Sequence, residues 1–426
     1  EMPALVQGGL VLGHEKPREL AKAVVDAGID IYVNGRVNDF LPLQTLGGYL
    51  PGSVTKYFQL SLGLPVKAMQ FVGLRDDLPE GHRSWFSKAQ EDTDFRSPES
   101  HVRQQLLPFA DLRWDAEPVK SASIAQVHLA EWRGKPAVAK VQHQHVREEF
   151  RTDLNIMSEL GKYVDKHEEA RGAGVVLAAL AEKLEPTVEA ETNFAMEAAN
   201  QKRVRQAFAG SGVYVAEVYE ATLMALVMER LQGKTASEAE KAWKEGERLD
   251  LFGRQQRDQI YEAYAKMVLQ DHFFQMDAHA GNFMALGGSV ALLDFGQCCE
   301  VTPAQRELFE HFAANAPTSP EEAKDAERLK GWLNGMGVTV TAQQAPDAAA
   351  LLFFGAKSTM FPRTGGINPE MTPLLLVVHY LSRFENTAAG LRAQVGLPDA
   401  ADGFAVLRAF KNMPFSRGSK RHNPEL

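Results

Sequence analysis

The chain has 426 residues, 45% of them hydrophobic and 24% charged, which favours a large buried core divided between two or three packed units. The formal net charge of −9 argues against a general nucleic-acid-binding protein, since such proteins usually present a basic surface to the phosphates. The only two cysteines are adjacent, at Cys298 and Cys299, so a disulfide between them is unfavourable and a reducing compartment is expected.

The longest apolar stretches, at residues 175–180 and 374–378, are well below the roughly 20 residues that a membrane-spanning helix needs. The sequence therefore predicts no transmembrane segment. No basic region followed by an apolar run stands at the start, so no secretory signal is predicted either. The chain starts at Glu1 with Met2 behind it, and a targeting peptide upstream of these residues is compatible with the sequence.

The first strand signals come after a long helical region. Residues 1–105 mix short helical patterns with Gly and Pro breaks, which predicts a helical N-terminal extension. From Val119 to Val141 the pattern changes to short strands. Gln126–Trp132 and Pro136–Gln142 flank Arg133–Lys135, and this arrangement predicts a β-hairpin.

Helical spacing returns from Val146 to about His167 and from Ala178 to Phe208, which predicts two helices after the hairpin. A second pair of strands and a linker are predicted next, at Val213–Tyr219, Ala221–Glu229 and Arg230–Lys234. Helices dominate from there, broken by one predicted strand at Val290–Leu293. The apolar run Leu374–Val378 is expected in the core of this region, with a membrane-facing surface as the less favoured alternative.

This order of elements predicts an α+β fold of two lobes. The N-lobe is small and contains the sheet, the C-lobe is mainly helical, and a Gly-bearing hinge joins them. The predicted domains are residues 1–105 for the helical extension, 106–232 for the N-lobe and 233–426 for the C-lobe.

Two motifs in the predicted C-lobe have the chemistry of phosphoryl transfer: DAHAGN at Asp277–Asn282 and LLDFG at Leu292–Gly296. The reaction needs a carboxylate near the attacking hydroxyl and oxygen ligands that hold magnesium against the phosphates. Protein kinases place an Asp and an Asn five positions apart in one loop, followed by the Asp of DFG. Asp294 follows Asp277 by 17 positions, which is close to that arrangement. The pair therefore predicts a kinase-like nucleotide site.

Lys140, which lies on a predicted strand between apolar residues, precedes these motifs. Val138–Val141 reads VAKV and is similar to the kinase strand that presents a lysine to the α- and β-phosphates. An edge lysine is the alternative, and the motifs downstream make it the weaker interpretation. Lys140 needs a carboxylate partner, and Glu191 and Glu197 are candidates. They are six positions apart and so do not share one helical face; we favour Glu197.

His279 and the pair Cys298 and Cys299 each allow a functional and a structural interpretation. His279 lies inside the DAHAGN loop and could be a metal ligand, but a loop histidine satisfied by backbone hydrogen bonds is favoured. The adjacent cysteines after DFG could form a redox switch, but ordinary packing is favoured because no pKa-lowering surroundings are visible in the sequence.

Residues Pro118–His128 stand where a kinase has its glycine-rich loop, and they contain no glycine. Their side chains limit how closely backbone amides can approach phosphate oxygens, so an ordinary kinase loop geometry is not expected. Here the chain resembles the UbiB/AarF family of atypical kinases, whose loop is of the type AAASIGQVH. SASIAQVH, at Ser121–His128, is a close match. AVAKVQH, EAETNFAMEAANQ, MDAHAGN and LLDFG match in the same order, over about residues 60–300.

The resemblance implies that the two lobes form a protein-kinase-like fold, with a nucleotide site for ATP or ADP with Mg²⁺. Carried over by motif, Lys140 binds the α- and β-phosphates with Glu197 as its partner, and Asp277 occupies the catalytic-base position. Asn282 and Asp294 hold the magnesium ion. The loop residues implied to contact the nucleotide are Ser121, Ala122, Ser123 and Gln126.

The family also has an N-terminal KxGQ motif, on a helix that folds over the nucleotide site and blocks ordinary protein substrates. Its counterpart here is KAMQ, at Lys67–Gln70. The resemblance implies that Lys67 and Gln70 face the nucleotide and that Glu191 holds Lys67.

The chain departs from the family pattern in three places. Met69 replaces the Gly of KxGQ, and Asn193 replaces the Asp of an ExD motif. Lys120 and Ser121 replace two alanines of the loop. Asn193 removes an anionic group, and Lys120 adds a cation near the expected phosphates. The nucleotide that is preferred, and how tightly the inhibitory helix binds over the site, therefore stay open.

The implied function is an ATP- and magnesium-binding atypical kinase or ATPase that supports isoprenoid-quinone (coenzyme Q) or lipid metabolism, with an unidentified phosphate acceptor. An ATP-binding pseudokinase scaffold for a membrane lipid-metabolic assembly is the alternative. An aminoglycoside- or choline-type phosphotransferase is disfavoured by the SIAQVH loop and the Lys67 motif.

The implied partners are an adenine nucleotide and, by peripheral contact, membrane lipid or quinone-biosynthesis proteins, without nucleic acid. The implied location is mitochondrial or plastid and peripheral to a membrane, or the cytoplasm of a bacterium. Met371–Gly396 is more loosely similar to the helical end of some mitochondrial AarF-domain proteins.

Overall fold

The computed structural model describes residues 96–353 and 368–415, apart from residues 123, 149, 152–153, 156–157 and 159–187. These residues form two compact units. The first unit comprises the described residues up to Ala195 together with Glu220–Val227. The second comprises Met196–Tyr219 and the described residues from Met228 onward. The three domain bounds expected from the sequence remain predictions.

The first unit is built on a five-stranded sheet in the order β1-β2-β3-β6-β5. A short helix, α1 (Glu99–Leu106), precedes it. The strands are β1 (Leu112–Ser121), β2 (Ala125–Trp132), β3 (Lys135–Gln142), β5 (Val218–Ala221, which begins in the second unit) and β6 (Ala225–Glu229, which ends in the second unit). Consecutive strands β1, β2 and β3 pair antiparallel, so the start of the sheet is a meander.

The predicted hairpin is confirmed as β2–β3, with Trp132 opposite Lys135. Its two turn residues, Arg133 and Gly134, both have positive φ, at 50° and 78°, as the mirror-image turns of two-residue hairpins require. Along β3 the apolar residues Ala137, Ala139 and Val141 are fully buried and alternate with Val138 and Lys140. The pleat therefore places Lys140 on the face opposite the buried one.

Strand β1 begins at Leu112, seven positions before the predicted start of strand structure at Val119. Most of its side chains are exposed, and its pairing with β2 is irregular on both sides of Pro118. Charged residues, a proline and broken register are typical of an edge strand. They hide the period-2 signal, which is why the pattern in the sequence missed the beginning of this strand.

The second unit is mainly helical. Its helices are α2 (Phe194–Ala207, which begins in the first unit), α3 (Ala236–Lys244), α4 (Arg254–Lys266), α5 (Pro303–Asn315), α6 (Ala326–Gly335), α7 (Ala345–Phe353), α8 (Thr372–Gln394) and α9 (Ala405–Asn412). Helix α4 continues into a π-helical turn at Met267–Asp271, and 3₁₀ turns occupy Ala280–Asn282, Glu322–Lys324 and Pro369–Met371.

Six short strands accompany these helices: β4 (Val213–Val215), β7 (Lys234–Thr235), β8 (Phe273–Gln275), β9 (Phe283–Leu286), β10 (Ser289–Leu292) and β11 (Cys298–Glu300). One sheet has the order β4-β10-β9-β7, and β8 pairs with β11 in a second. The expectation of a single strand after the linker, at Val290–Leu293, is therefore incomplete. Strand β10 is the predicted strand, and β7, β8, β9 and β11 lie in the same part of the chain. Strands of two to four residues are too short to show alternation.

Two other predictions of elements need correction. The segment predicted as one strand at Val213–Tyr219 divides into β4 and the beginning of β5, and β4 pairs parallel with β10. The helix predicted over Ala178–Phe208 is interrupted at Thr192–Asn193, where the Phe194 amide donates to the Leu223 carbonyl at 3.1 Å. The part before residue 188 lies outside the described residues, as does most of the helix predicted at Val146–His167.

The linker between the strands and the helices is confirmed up to Gly233. A Cβ atom at this position would collide with the carbonyl oxygen of Ala285, so only glycine lets the linker run against β9. Helix α3 starts two residues after β7 begins, with a capping box in which Thr235 and Glu238 bond each other's backbone amides. The chain therefore changes from strand to helix abruptly at this point.

The core of the second unit is aliphatic and aromatic, and α8 lies within it. Leu374, Leu375, Val377 and Val378 are all at most 7% exposed, which confirms the interpretation of this apolar run as core. Among the helices in the described part of the chain, none combines the length and hydrophobicity that crossing a bilayer requires.

Candidate functional site in the second unit

The β9–β10 hairpin brings the two candidate magnesium ligands to neighbouring positions. Phe283 pairs with Leu292 as the last rung of the hairpin. One position beyond that rung, the Leu293 amide donates to the Asn282 carbonyl at 2.9 Å. Asn282 therefore lies directly beside Leu293, whose chain neighbour is Asp294. Residues 12 positions apart in sequence become adjacent because antiparallel pairing folds them together.

The DAHAGN loop orients Asn282 from its other side. The side-chain nitrogen Nδ2 of Asn282 donates to the Asp277 carbonyl at 2.9 Å, and the backbone amide donates to the His279 carbonyl, also at 2.9 Å. Because the side-chain nitrogen is engaged, the amide oxygen is the Asn282 atom left for a cation. Asn282 itself is buried, whereas the Asp277 side chain is partly exposed.

His279 has a role inside this loop. Its Nδ1 accepts a hydrogen bond from the Gly281 amide at 3.0 Å, and its Nε2 lies 3.6 Å from Asp277 Oδ2. A Cβ at Gly281 would lie 2.7 Å from the imidazole, so the glycine leaves room for this arrangement. The backbone hydrogen bond supports the loop interpretation of His279 over the metal-ligand one.

Asp294 has a left-handed backbone, with φ of 57°. Aspartate tolerates this region better than most residues because its short side chain can bond locally, and here Oδ1 accepts from the Gly296 amide at 3.1 Å. The residue is exposed. One carboxylate oxygen, Oδ1, is thus turned to the local backbone.

Gln275 and Tyr264 are site residues that the sequence did not reveal. Gln275 is fully buried in β8 and donates through Nε2 to the carbonyls of Leu293, at 2.6 Å, and Asp294. Its Oε1 accepts from the Tyr264 hydroxyl at 2.6 Å. The only available signal was a polar residue at the end of the apolar run Phe273–Phe274, and such a residue is usually exposed.

Glu197 also lies at this segment. It is buried in α2, and its carboxylate lies near Gly296. One turn of helix further on, Asn200 Nδ2 donates to the Phe295 carbonyl at 3.0 Å. Helix α2 therefore contacts the LLDFG segment through two residues of the ExD-like stretch. The electrostatic result is that two carboxylates, Glu197 from α2 and Asp294 from the loop itself, lie close to Gly296.

Burial and these carboxylates raise the pKa values of neighbouring groups. Burial first, and then the charges of Asp294 and Glu197, raise the pKa of the Cys298 thiol. Both thiols are free, and that of Cys298 stays protonated, which supports ordinary packing. Burial, followed by the charge of Asp277, likewise raises the pKa of the Tyr264 and Tyr380 hydroxyls. Both tyrosines keep their protons at working pH.

Lys140 belongs to the first unit. It is half-buried on β3, and its Nζ lies 4.8 Å from the centre of the Phe194 ring. A cation over an aromatic face is held electrostatically, so this ring helps to restrain the lysine. Glu197 belongs to the second unit, and the predicted pair of Lys140 with Glu197 stays a prediction.

The loop of the first unit is tied into a buried cluster, which we call the histidine cluster: Ser97, Ser121, Gln126, His128 and His143. Gln126 Oε1 accepts from the Ser97 amide at 2.7 Å, and Gln126 Nε2 bonds His128 Nε2 at 2.8 Å. His143 Nε2 donates to the Ala122 carbonyl at 3.0 Å and lies 3.2 Å from Ser121 Oγ. The side chains of Ser121 and Gln126 thus bond inward, behind the loop.

Sequence comparison identifies the family. A sequence model of the ABC1 atypical kinase-like domain matches residues 108–323, which is 216 of the 426 residues. The chain belongs to the UbiB/AarF family of ABC1 atypical kinase-like proteins. The α+β class and kinase-like fold expected from the sequence are thereby confirmed.

Curated relatives agree with this family. Probable protein kinase UbiB of Shewanella woodyi is 32% identical over 176 residues, covering 40% of this chain and 31% of the relative. ACTIVITY OF BC1 COMPLEX KINASE 8, chloroplastic, of Arabidopsis thaliana is 28% identical over 222 residues, covering 50% of this chain and 29% of the relative. The match thus spans about 30% of the length of these relatives.

Among solved structures, the Rv3197–erythromycin complex from Mycobacterium tuberculosis is 18% identical with a TM-score of 0.49. The similarity covers 85% of this chain and 98% of that one.

The family motifs are not all within the described residues. Lys67, Gln70 and Ser123 lie outside them, so the expected contacts of the KxGQ counterpart stay predictions. Glu191 is described and is buried near the end of the short helical stretch at residues 188–191. Its expected role of holding Lys67 is a prediction as well.

The candidate oxygen ligands in the second unit are compatible with magnesium. Within the described ranges, no group of three or more His, Cys, Asp or Glu side chains could hold a metal ion by itself. The candidate ligands are instead one carboxylate, from Asp294, and one amide oxygen, from Asn282. Mg²⁺ commonly uses one or two protein oxygens and completes its octahedron with phosphate oxygens and water. The residues present therefore fit a magnesium–nucleotide complex.

Proposed function

We propose that this chain binds ATP or ADP together with Mg²⁺ and acts as an atypical kinase or ATPase of the UbiB/AarF type. The observation that carries the proposal is the end of the β9–β10 hairpin. There the Leu293–Asn282 hydrogen bond of 2.9 Å joins the backbone of the candidate amide ligand, Asn282, to the residue that precedes the candidate carboxylate ligand, Asp294. Asp277 is tied to the same amide through its carbonyl, at 2.9 Å. One hydrogen-bonded unit therefore contains a candidate base and both candidate magnesium ligands.

Each residue has a part in this proposal. Asn282 and Asp294 hold the magnesium ion, which when bound neutralises negative charge on the phosphate oxygens. Asp277 accepts the proton of an attacking hydroxyl, either of water or of an acceptor. Lys140 binds the α- and β-phosphates, with Glu197 as its partner. The loop around Ala122 contacts the phosphates through its backbone, since the side chains of Ser121 and Gln126 bond inward.

The wider role is proposed from the relatives. Probable protein kinase UbiB and the chloroplastic kinase of Arabidopsis thaliana are named as kinases. We propose that this chain supports isoprenoid-quinone or lipid metabolism and contacts a membrane peripherally, in a mitochondrion, plastid or bacterial cell. In the same proposal Lys67 and Gln70 face the nucleotide, and Glu191 holds Lys67.

The proposal is tested by measuring nucleotide binding to the full chain. Binding is detected as a shift in thermal unfolding with ADP or ATP, with and without Mg²⁺. Ligand bound to the native state adds about 2.7 kcal/mol of stability at 100 times its dissociation constant. We expect a nucleotide shift that increases with Mg²⁺. In Asp294→Asn the magnesium-dependent part should disappear, and in Lys140→Ala the whole nucleotide shift should fall.

Matched variants separate binding from folding. Asp325→Asn replaces an aspartate that caps α6, a role that asparagine also fills, so its magnesium dependence should equal that of the unaltered chain. Lys135→Ala removes an exposed lysine from the other end of β3 and should leave the nucleotide shift intact. If the folded chain shows no shift with either nucleotide, the proposal fails and a scaffold with a kinase-like fold takes its place.

A further inference from the structure

The short segment Leu293–Gln297 is held by backbone contacts from several parts of the second unit. Its partners are Asn200 in α2, Gln275 and Met276 at the end of β8, and Asn282 at the start of β9. The Met276 amide donates to the Gln297 carbonyl at 2.9 Å, and Gln275 pairs with Cys298 in the β8–β11 ladder. The end of β8 thus contacts both ends of the segment.

Gln275 is the partner that reaches the residue with the unusual backbone. A left-handed conformation costs an aspartate energy compared with the right-handed one, so something in the surroundings must stabilise it. The Gln275 amide nitrogen donates to the carbonyl of Asp294 and, at 2.6 Å, to that of Leu293. Both hydrogens of one NH₂ group are therefore used on consecutive carbonyls, which restrains the φ and ψ angles of Asp294.

Tyr264 holds the other end of the Gln275 amide. A primary amide has an oxygen that only accepts and a nitrogen that only donates. The two carbonyls can only accept, so the nitrogen must face them, and Oε1 then accepts from the Tyr264 hydroxyl at 2.6 Å. A flipped amide would set three oxygens against one another and leave the tyrosine without its acceptor. In a fully buried site such a loss is costly, because water cannot replace the partner.

We propose that Tyr264 and Gln275 are a positioning pair that fixes the left-handed turn at Asp294 and thereby sets how tightly the site holds magnesium. The proposal rests on the proposed function, in which Asp294 is a magnesium ligand. Both side chains are fully buried, so in this proposal neither touches the nucleotide or the metal. The pair acts through the Asp294 backbone, so its loss should weaken magnesium binding more than nucleotide binding.

Tyr264→Phe in the full chain is the first test, with Tyr261→Phe as its matched control. Tyr261 is buried in the same helix, and its hydroxyl donates to Glu385 at 2.8 Å rather than to Gln275. The quantity measured is the Mg²⁺ concentration that gives half of the magnesium-dependent thermal shift at fixed ADP. Loss of one buried hydrogen bond should raise it roughly fivefold in Tyr264→Phe. In Tyr261→Phe it should stay within about twofold, even though that variant is also less stable.

Hydrogen exchange gives a readout that needs no ligand. In the ligand-free protein, the amides of residues 293–297 should exchange several times faster in Tyr264→Phe than in Tyr261→Phe. Equal exchange in the two variants, together with equal magnesium requirements, overturns the proposal while leaving the proposed function in place. If the unaltered chain shows no magnesium-dependent shift with ADP, the proposed function fails and this proposal fails with it.

Variants of Gln275 test the other half of the pair. Gln275→Met keeps the length of the side chain and removes both donors, and it should raise the magnesium requirement at least tenfold. Gln275→His supplies an N–H that can reach a carbonyl and should recover part of the loss. Gln256→Met is the control, since Gln256 is another buried glutamine that donates to two carbonyls, Gly287 and Ser289, away from the segment. An equal magnesium requirement in Gln275→Met and Gln256→Met contradicts the proposal.

Discussion

Each unit buries a cluster of polar side chains. The cluster in the first unit consists of uncharged groups, whereas the cluster in the second consists of paired opposite charges. The histidine cluster of the first unit is satisfied while it is neutral. Because a carbonyl can only accept, His143 Nε2 must carry the proton that bonds Ala122, and His128 Nδ1 the proton that bonds Asp115. The remaining nitrogens accept from Ser97 and Gln126, at 3.1 and 2.8 Å.

The second unit contains an ionic cluster, which we call the arginine cluster: Arg257, Glu385, Arg392 and Asp399. Arg257 is 0% exposed and donates to Glu385 and Asp399, each at 2.8 Å. Burial disfavours the charge of Arg257, but hydrogen bonds to these two carboxylates outweigh it and raise the pKa. Every member therefore depends on the charge of its neighbours.

The comparison shows that burial alone does not determine whether a polar group is charged. Burial lowers the pKa of His143 to about 4, since the cluster offers it a carbonyl and hydroxyls but no anion, and Arg96 and His101 add opposing positive charge. Burial also acts on Asp399, yet hydrogen bonds and charges from Arg257 and Arg392 outweigh it, and the pKa of Asp399 falls below its ordinary value of 3.8. The chemistry of the nearest partner decides the sign.

Breaking the arginine cluster should have the largest effect. Arg257→Met leaves Glu385 and Asp399 buried without their main partner, and we expect a loss of about 3–5 kcal/mol in the free energy of unfolding. Urea unfolding at pH 7.5 measures it. Arg103→Met provides the control, because Arg103 pairs with Glu99 on the surface, where side chains are 70% and 54% exposed, and should change stability by less than about 0.5 kcal/mol. Similar losses in the two variants would show that the arginine cluster contributes no more to the free energy of unfolding than a surface ion pair does.

Acid should act on the histidine cluster first. The pKa of His143 is depressed from 6.5 to about 4 in the folded state, so between these values the unfolded chain binds the proton and the folded one does not. Its contribution, about 3 kcal/mol, is complete above pH 6.5 and is lost as pH falls towards 4. Asp399 adds to acid sensitivity only below its ordinary 3.8.

Urea unfolding at several pH values between 4.5 and 7.5 measures this slope. His143→Asn should flatten it, because the substituted residue does not titrate in this range, while the lowered pKa values of His128 and His272 leave a residual slope. His145→Asn, at an exposed neighbour, should retain the full slope. An unchanged slope in His143→Asn would assign the acid sensitivity to other groups.

The smallest effect is expected for a single hydroxyl of the histidine cluster. Ser97 Oγ bonds His143 Nδ1 and accepts from the Gln144 amide, both at 3.1 Å. Ser97→Ala removes both contacts and should cost about 1–2 kcal/mol, against almost nothing for Ser100→Ala on the exposed side of α1. A loss as large as that of Arg257→Met would contradict the idea that neutral contacts contribute less than ionic ones.

The sequence was most informative where neighbours in the chain also act together. The hairpin turn, the alternation that sets Lys140 on β3 and the spacing of Asp277 and Asn282 are local, and the structure agrees with the first two. The sequence pattern missed the beginning of β1 and most of the strands of two to four residues, because edge position or short length removes the periodic signal. The contacts of Lys67, Gln70 and Ser123, and the pairing of Lys140 with Glu197, are still predictions.

What the sequence determined by itself was the family, through motifs whose residues are fixed by chemistry and lie close together in the chain. What only the tertiary structure decided was which distant residues support them. Tyr264 meets Gln275 across 11 positions, and Gln275 meets Asp294 across 19. Such pairs leave no periodic trace, because their partners are set by how strands and helices pack rather than by the order of residues.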